Sequence, residues 1–150
     1  MPISELCNRE VVIVPRNASV QDAARLMRQH HVGDLIVVEK HNGSQVPVGI
    51  VTDRDLVLEV MAPDVDKAAV TVGDIIGQKL VSVRENTGVF ESIQYMRAQG
   101  VRRLPVVDSH GSLVGILTLD DMLELLSEEL LELVKVVRHE QQKEAVNRPA

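Results

Sequence analysis

Two stretches of the chain place a threonine and an aspartate at a spacing that could bind a nucleotide. Thr52 and Asp55 are three residues apart, as are Thr118 and Asp121, and each pair follows a glycine and two apolar residues. A threonine hydroxyl can donate a hydrogen bond to a phosphate oxygen, and an aspartate carboxylate can accept hydrogen bonds from both hydroxyls of a ribose. Each pair therefore predicts a site for the ribose and phosphate of a nucleotide.

The same spacing has a purely structural interpretation, because a threonine followed three residues later by an acidic residue is typical of a helix start. An apolar helical pattern does follow each pair. A helix N-terminus also attracts phosphate through its free N–H groups and positive dipole end, so capping and binding use the same atoms. The presence of two copies favours binding over capping alone.

The sequence contains no pattern that indicates catalysis or a dedicated metal site. It lacks the glycine-rich phosphate-binding motifs and shows no Ser/His/Asp or Cys/His set. We therefore expect no catalytic residue, no metal ligands and no required cofactor. The acidic pair Asp120 and Asp121 could hold Mg²⁺ together with a nucleotide's phosphates, although acidic residues are also common at helix starts without a metal.

Composition restricts the partners that the chain could have. The 150 residues carry a net charge of −6, and Phe90 and Tyr95 are the aromatic residues. Such a chain is poorly suited to bind nucleic acid or an anionic membrane. No apolar run approaches the roughly 18 residues of a membrane span, and the N-terminus does not resemble a signal peptide. The single cysteine, Cys7, excludes an internal disulfide and predicts a cytoplasmic protein.

An internal repeat organises these residues. The interval from Val32 to Val101 also separates the corresponding earlier segments of the two copies. From Gly49 to Gly115 the interval is three residues shorter. The difference falls in a glycine-containing turn, where insertions are well tolerated. Each copy predicts the order β-α-β-β-α after a short helical turn.

Periodicity and caps predict the bounds of several elements. The first strand of each copy is expected at residues 11–14 and 80–83, and Ser19 with Asp22 is expected to cap the first long helix. Pro105 lies within a strand-like run, which indicates an edge or strand-start position. The predicted units are copy one (1–62), a linker (63–70), copy two (71–127) and a C-terminal helix extension with a tail (128–150).

The last helix is expected to continue unusually far. Apolar residues recur every three or four positions from Met122 to Val137, and the polar stretch 140–148 with Pro149 indicates its end. The helix could pack on its own domain. We favour a partner helix in a homodimer, because the apolar stripe outruns the corresponding helix of the first copy.

With these motifs, the chain resembles a pair of cystathionine-β-synthase (CBS) domains, also called a Bateman module. The resemblance covers about residues 3–126 and is most specific at 101–107 and 115–118. It implies an α+β fold in which two β-α-β-β-α domains, related by a pseudo-twofold axis, pack sheet to sheet, here with a long C-terminal helix. It also implies two clefts between the repeats, which typically bind adenosyl compounds: AMP, ADP, ATP, NAD or S-adenosylmethionine.

Each cleft takes its threonine and aspartate from one repeat and most of its remaining residues from the other. The resemblance assigns to cleft one Thr52, Asp55, Leu80, Val81, Val101, Arg102 and Arg103. It assigns to cleft two Val11, Val12, Val32, Gly33, Asp34, Ile116, Thr118, Asp120 and Asp121.

The two clefts differ in charge. Arg102 and Arg103 would place two cations beside the phosphates of cleft one, whereas Gly33 and Asp34 hold the matching positions in cleft two. Because an aspartate repels phosphate, we predict that cleft one binds a nucleotide. Cleft two is expected to bind weakly, not at all, or to take a ligand with little negative charge at that position. The alternative is a structural ion pair between Asp34 and Arg103 across the pseudo-twofold axis.

The resemblance and the residues together predict a non-catalytic, dimeric regulatory module. It would sense an adenosyl ligand and act on another protein that the sequence does not identify. The alternative is a constitutive dimerisation or scaffold module that binds no regulatory nucleotide.

Overall fold

A computed structural model describes residues 1–77, 80–148 and 150, and it contains two units of the order β-α-β-β-α. The first unit consists of a 3₁₀ turn (Ile3–Glu5), β1 (Ile13–Pro15), α1 (Val20–His30), β2 (Asp34–His41), β3 (Ser44–Thr52) and α2 (Asp53–Leu56), which continues as a π-helical turn (Val57–Met61). The second consists of α3 (Val72–Ile75), β4 (Val83–Arg84), α4 (Val89–Gln99), β5 (Arg103–Val107), β6 (Leu113–Thr118) and α5 (Leu119–Asn147). The predicted α+β fold is confirmed.

Each unit contains one three-stranded sheet, and the two sheets have the same topology. The central strand, β2 or β5, pairs in parallel with the short first strand and antiparallel with the strand that follows it. The register shifts at Val37/Val38 in one hairpin and at Val106/Val107 in the other. These bulges stand at equivalent positions, so the repeat extends to details of the backbone.

Each sheet has a hydrophobic core that includes a residue of the other unit, and a third cluster joins the two sheets. Ile3 of the first unit lies in the core around β4–β6, and Val72 of the second lies in the core around β1–β3. Apolar residues at helical spacing face these cores: Val20, Ala23 and Met27 of α1 are buried, as are Val89 and Met96 of α4. The third cluster contains Ile36, Val38 and Ile116, with Val11 and Leu113 packed against it. Because it combines side chains of β2 and β6, this cluster holds the repeats together sheet to sheet.

The first strands of both units are shorter than predicted and begin later. The prediction of strands over 11–14 and 80–83 is wrong in its bounds, since β1 begins at Ile13 and β4 at Val83. In the first unit the reason is that the preceding segment crosses from one sheet to the other. Asn8 exchanges two backbone hydrogen bonds with Ile116 of β6, whereas the Val12 carbonyl accepts from a β2 amide.

Pro105 occupies the central strand β5, so its predicted edge or strand-start position is wrong. Its partner across the hairpin, Ile116, uses both its N–H and its C=O in the bonds to Asn8. Pro105 is therefore not needed as a donor towards β6. On the other side, the ladder with β4 begins only at Val106. A proline is tolerated here because no ladder bond requires its missing N–H.

Helix α5 packs on the second unit only through its first turns. Met122 is buried and Leu125 packs against the core, but every residue from Glu128 to Arg148 is exposed. Packing of this extension on its own domain is therefore wrong. The helix runs to Asn147, because the Glu, Gln, Lys and Ala residues near its end are good helix formers; Pro149 lies outside the described residues. Within the part of the chain that the structure describes, no helix is long and apolar enough to cross a membrane.

Candidate functional site

Both threonine–aspartate pairs form complete capping boxes at the starts of α2 and α5. The Thr52 hydroxyl oxygen accepts a hydrogen bond from the Asp55 amide at 3.1 Å, and Asp55 Oδ2 accepts from the Thr52 amide at 2.9 Å. In the second unit the corresponding distances for Thr118 and Asp121 are 3.1 and 3.4 Å. The hydroxyl hydrogen of each threonine and the second carboxylate oxygen of each aspartate are not used by these boxes. Capping and ligand binding are therefore compatible in the same residues.

Most of the residues predicted for cleft one meet at a cavity of about 160 Å³ between the two units. Its lining consists of Gly49, Ile50, Gly77, Leu80, Val81, Val101 and Arg103. Side chains alternate along a strand, so Thr52 lies on the same face of β3 as Ile50, one step beyond the cavity. The cleft thus joins an apolar pocket to a polar end at the start of α2.

Two lining residues of β3 were absent from the predicted set. Gly49 and Ile50 precede Thr52 in the repeated stretch, and this repetition is the signal that could have identified them. A Cβ atom on Gly49 would lie 2.8 Å from the Ile76 Cδ1 atom. The glycine therefore lets the segment after α3 approach the strand closely.

Arg103 is paired with Asp34 across the pseudo-twofold axis, as the alternative interpretation of the sequence required. Arg103 Nε lies 2.5 Å from Asp34 Oδ2, and their side chains are 40% and 22% exposed. Asp34 stands opposite Thr52 in the β2–β3 ladder, so the ion pair lies at the polar end of cleft one. Its two side chains come from different repeats, which makes it a direct electrostatic link between them.

Arg102 is placed differently from the prediction. Its Nη2 atom lies 3.9 Å from Asp120 Oδ1 at the start of α5, with both side chains largely exposed. Its carbonyl oxygen accepts a hydrogen bond from the Leu119 amide. The guanidinium therefore faces the helix start of its own repeat, and the charge of Asp120 is partly balanced without a metal ion. Among the described residues, no cluster of three or more His, Cys, Asp or Glu side chains could hold a metal.

Cleft two is more closed at the corresponding place. Val11 packs against Ile116 in the cluster between the sheets, and the two hydrogen bonds between Asn8 and Ile116 bring the N-terminal segment onto β6. A Cβ atom on Gly115 would lie 2.6 Å from the Asn8 carbonyl oxygen, so a glycine is needed for this contact. The other residues predicted for this cleft have separate contacts. Val12 and Val32 pack against the core around β1–β3, Gly33 accepts a hydrogen bond from the Asp53 amide, and Asp34 pairs with Arg103. Thr118 and Asp121 form the α5 capping box, and Asp120 faces Arg102.

One substitution between the repeats explains part of this difference. Ile36 donates its backbone N–H to the Val12 carbonyl at 3.1 Å, which fixes the segment that lines cleft two. Pro105 holds the equivalent position in the second repeat and has no N–H to donate. Val81, the counterpart of Val12, cannot receive this bond, and it lines the cavity of cleft one.

The groups whose pKa departs from the ordinary value lie outside the clefts. Burial raises the pKa of the Cys7 thiol, which therefore stays neutral at physiological pH. Backbone N–H donors from Ser112 and His110 lower the pKa of the Asp108 carboxyl in the β5–β6 turn, and the Thr71 amide lowers that of Asp74. These carboxylates stabilise turns and helix starts.

One protein-family model matches both copies of the repeat. The family model of the CBS domain matches residues 3–62 and 72–128. A CBS domain-containing protein of Bacillus subtilis, YhcV, is 36% identical over 120 residues, which cover 80% of this chain and 81% of that protein. An uncharacterized protein of Methanopyrus kandleri is 34% identical over 82% of this chain; the match spans 61% of that protein's length.

A solved structure has the same fold. The CBS domain pair of protein MJ0100, crystallised with 5′-methylthioadenosine and S-adenosyl-L-methionine, superposes with a TM-score of 0.73 at 22% identity. The superposition covers 86% of this chain and 98% of that one.

Proposed function

The chain belongs to the CBS domain family, and we propose that it is a non-catalytic regulatory module that binds an adenosyl compound in cleft one. Binding would involve both repeats and shift their relative arrangement, by as much as the ligand's affinity differs between the two arrangements. The output would pass to a protein partner. We also propose that the module is a homodimer and acts in the cytoplasm.

The observation that carries the proposal is the difference between the clefts. The cavity of about 160 Å³ lies at cleft one, where Pro105 leaves the Val81 segment without the backbone bond that Ile36 gives to Val12. At cleft two the N-terminal segment is bonded to β6. A ligand would therefore enter cleft one at a lower cost of rearrangement.

The lining of cleft one suits the parts of an adenosyl group. Leu80, Val81 and Val101 offer an apolar pocket for the base. The free carboxylate oxygen of Asp55 could accept from a ribose hydroxyl, and the Thr52 hydroxyl could donate to the group on the 5′ carbon. The pair of protein MJ0100, which was solved with two adenosyl compounds, supports this class of ligand.

The ion pair makes the 5′ substituent the discriminating part of the ligand. A phosphate at the Arg103 guanidinium would compete with Asp34 for its positive charge and would lie close to that carboxylate. A neutral or cationic group, as in 5′-methylthioadenosine or S-adenosylmethionine, avoids this competition. The phosphate-containing candidates are therefore expected to bind less tightly, because Asp34 repels their phosphates: AMP, ADP, ATP and NAD. We propose no Mg²⁺ requirement.

A thermal-shift panel with AMP, ADP, ATP, NAD, S-adenosylmethionine and 5′-methylthioadenosine tests the proposal. A ligand at about 100 times its Kd adds roughly 2.7 kcal/mol to the free energy of unfolding. We expect a clear rise with at least one compound, and a smaller rise with its 2′-deoxy analogue if Asp55 binds the ribose. The denatured protein's supernatant should be checked by mass spectrometry, because a ligand that co-purifies would mask the shift.

A matched pair of variants identifies the cleft. Thr52→Val and Thr118→Val remove the same hydroxyl from equivalent capping boxes, so each is expected to lower stability by about 1 kcal/mol. Only Thr52→Val should also reduce the ligand-induced shift. An equal reduction in both variants, or a reduction in Thr118→Val alone, would contradict the assignment to cleft one.

The second candidate is a scaffold module without a regulatory ligand. The ion pair between Asp34 and Arg103 favours it, because both charges are already compensated without a ligand. No shift with any compound, together with no ligand released on denaturation, would support this candidate over the first.

A further inference from the structure

Helix α5 carries an apolar seam that its own chain does not cover. Five residues recur at intervals of four, three, four, three and four, counted from Leu119, as on the contact face of a coiled coil. The seam consists of Leu123, Leu126, Leu130, Leu133 and Val137, whose exposure ranges from 42% to 63%. Leu131, Val134 and Val136 beside it are also exposed.

The charges along α5 are divided between its two halves. Residues 119–132 contain six carboxylates and no basic residue, whereas residues 133–148 contain four basic residues and two glutamates. Parallel alignment of two such helices would bring the acidic halves together. Antiparallel alignment brings each acidic half beside the net-positive half of the other helix, which is the complementary arrangement.

We propose that α5 pairs in antiparallel orientation with α5 of a second copy, centred between Leu130 and Leu133. This inference refines the homodimer part of the proposed function and does not depend on the adenosyl ligand. At 1.5 Å per residue, the 29 residues of α5 span about 43 Å, so the overlapping segments extend well beyond the body of each copy.

The seam and the division of charge together select the register. With Leu130 opposite the partner's Leu133, Leu126 falls opposite the partner's Val137, and each seam residue between 126 and 137 meets another apolar residue. A shift of one heptad that places Leu126 opposite the partner's Leu130 would also pair the seam, but it would bring the acidic segments 119–132 of both helices together. The opposite shift would place Leu126 and Leu130 opposite glutamates.

Engineered cysteines test orientation and register in the full chain. Leu126→Cys and Val137→Cys copies, distinguishable by mass, are mixed and oxidised, and the disulfides are identified by mass spectrometry. We expect the 126–137 cross-link between copies and little cross-linking of either variant with itself. The wild-type chain gives the background, since Cys7 is buried.

A control pair lies at equivalent heights on the outer face of the helix. Glu128→Cys and Lys135→Cys are level in the proposed register but stand opposite the seam, so they should cross-link far less. The further change Leu130→Glu, at a side chain 63% exposed, should abolish the 126–137 link while the chain stays folded by circular dichroism.

Three results would overturn the inference. The first is 126–126 and 137–137 linkage, which indicates a parallel pair. The second is equal linkage in the control pair, which indicates random collision. The third is a single-chain mass for the wild type in sedimentation equilibrium at concentrations used for cross-linking, which indicates that α5 is free or serves a different protein. None of these readouts depends on whether the clefts bind an adenosyl compound.

Discussion

Substitution of Asp34 by asparagine should convert cleft one into a better phosphate site. In the wild type the Asp34 carboxylate pairs with Arg103 Nε, so a ligand phosphate at the same guanidinium would lie beside a like charge. Asparagine keeps the size of the side chain and one acceptor oxygen but removes its charge. The substitution therefore frees Arg103 for the phosphate and removes a repulsive charge at the same time.

The expected magnitude follows from the geometry and exposure of the pair. A phosphate bound to guanidinium N–H groups that Asp34 does not use would lie roughly 5 Å from the carboxylate, with one guanidinium between the two anions. Two like charges at that distance repel by roughly 3 kcal/mol at an effective dielectric constant of about 20 and by roughly 0.8 kcal/mol in bulk water. Because the two side chains are 22% and 40% exposed, an intermediate value of about 1.5 kcal/mol applies, which corresponds to about a tenfold change in Kd.

Isothermal titration calorimetry of wild type and Asp34→Asn with AMP and 5′-methylthioadenosine measures the effect. We expect AMP to bind about tenfold more tightly to the variant and the uncharged compound to change by less than about threefold. The gain for AMP should shrink at high salt, since the charges are partly exposed. Loss of a partly exposed ion pair should lower the free energy of unfolding by no more than about 1 kcal/mol, and thermal unfolding provides this control.

Two outcomes would refute the reasoning. An unchanged or weaker affinity for AMP would mean that Arg103 does not contact phosphate. An equal gain for both compounds would mean that the substitution loosens the cleft and does not act through charge. The companion variant Arg103→Met separates these cases, because it should weaken AMP binding only if the guanidinium takes part.

Three further predictions concern stability and reactivity. Gly115→Ala should lower the free energy of unfolding by about 1–3 kcal/mol, because its Cβ would meet the Asn8 backbone, whereas Gly77→Ala, with open space around it, should change stability little; chemical denaturation compares them. Asp108→Ala should destabilise the protein above the ordinary aspartate pKa, and the difference from wild type should vanish as pH falls through the lowered pKa of the folded state; thermal unfolding at several pH values tests this. Cys7, neutral and buried, should react with iodoacetamide at pH 7 far more slowly in the folded than in the urea-unfolded chain.

The repeat made much of the fold predictable from the sequence. The helical stripes of α1 and α4 are local patterns, and each records directly which face is buried. The threonine–aspartate pairs were equally readable, since capping depends on residues three positions apart. The bounds of β1 were not, because the segment before β1 is shaped by its bonds to Ile116 in the other repeat.

The candidate site shows the same division. The cavity residues Leu80, Val81 and Val101 could be placed by the family resemblance, but the directions of the two arginines could not. A long guanidinium side chain reaches several carboxylates, and the sequence offered both Asp34 and a ligand phosphate to Arg103. Only the tertiary structure shows that Asp34 lies within reach of Arg103. It also shows that Arg102 faces Asp120 at the start of α5.

The bond between Asp34 and Arg103 also bears on how a single gene could come to encode two repeats. Two identical one-repeat subunits, paired about a true twofold axis, would place the same side chain at both positions, and two aspartates or two arginines would repel. A tandem duplication allows the two copies to diverge to opposite charges. Repeat one then pairs well with repeat two but poorly with another repeat one, so the charges discourage mispairing between neighbouring chains during synthesis and folding.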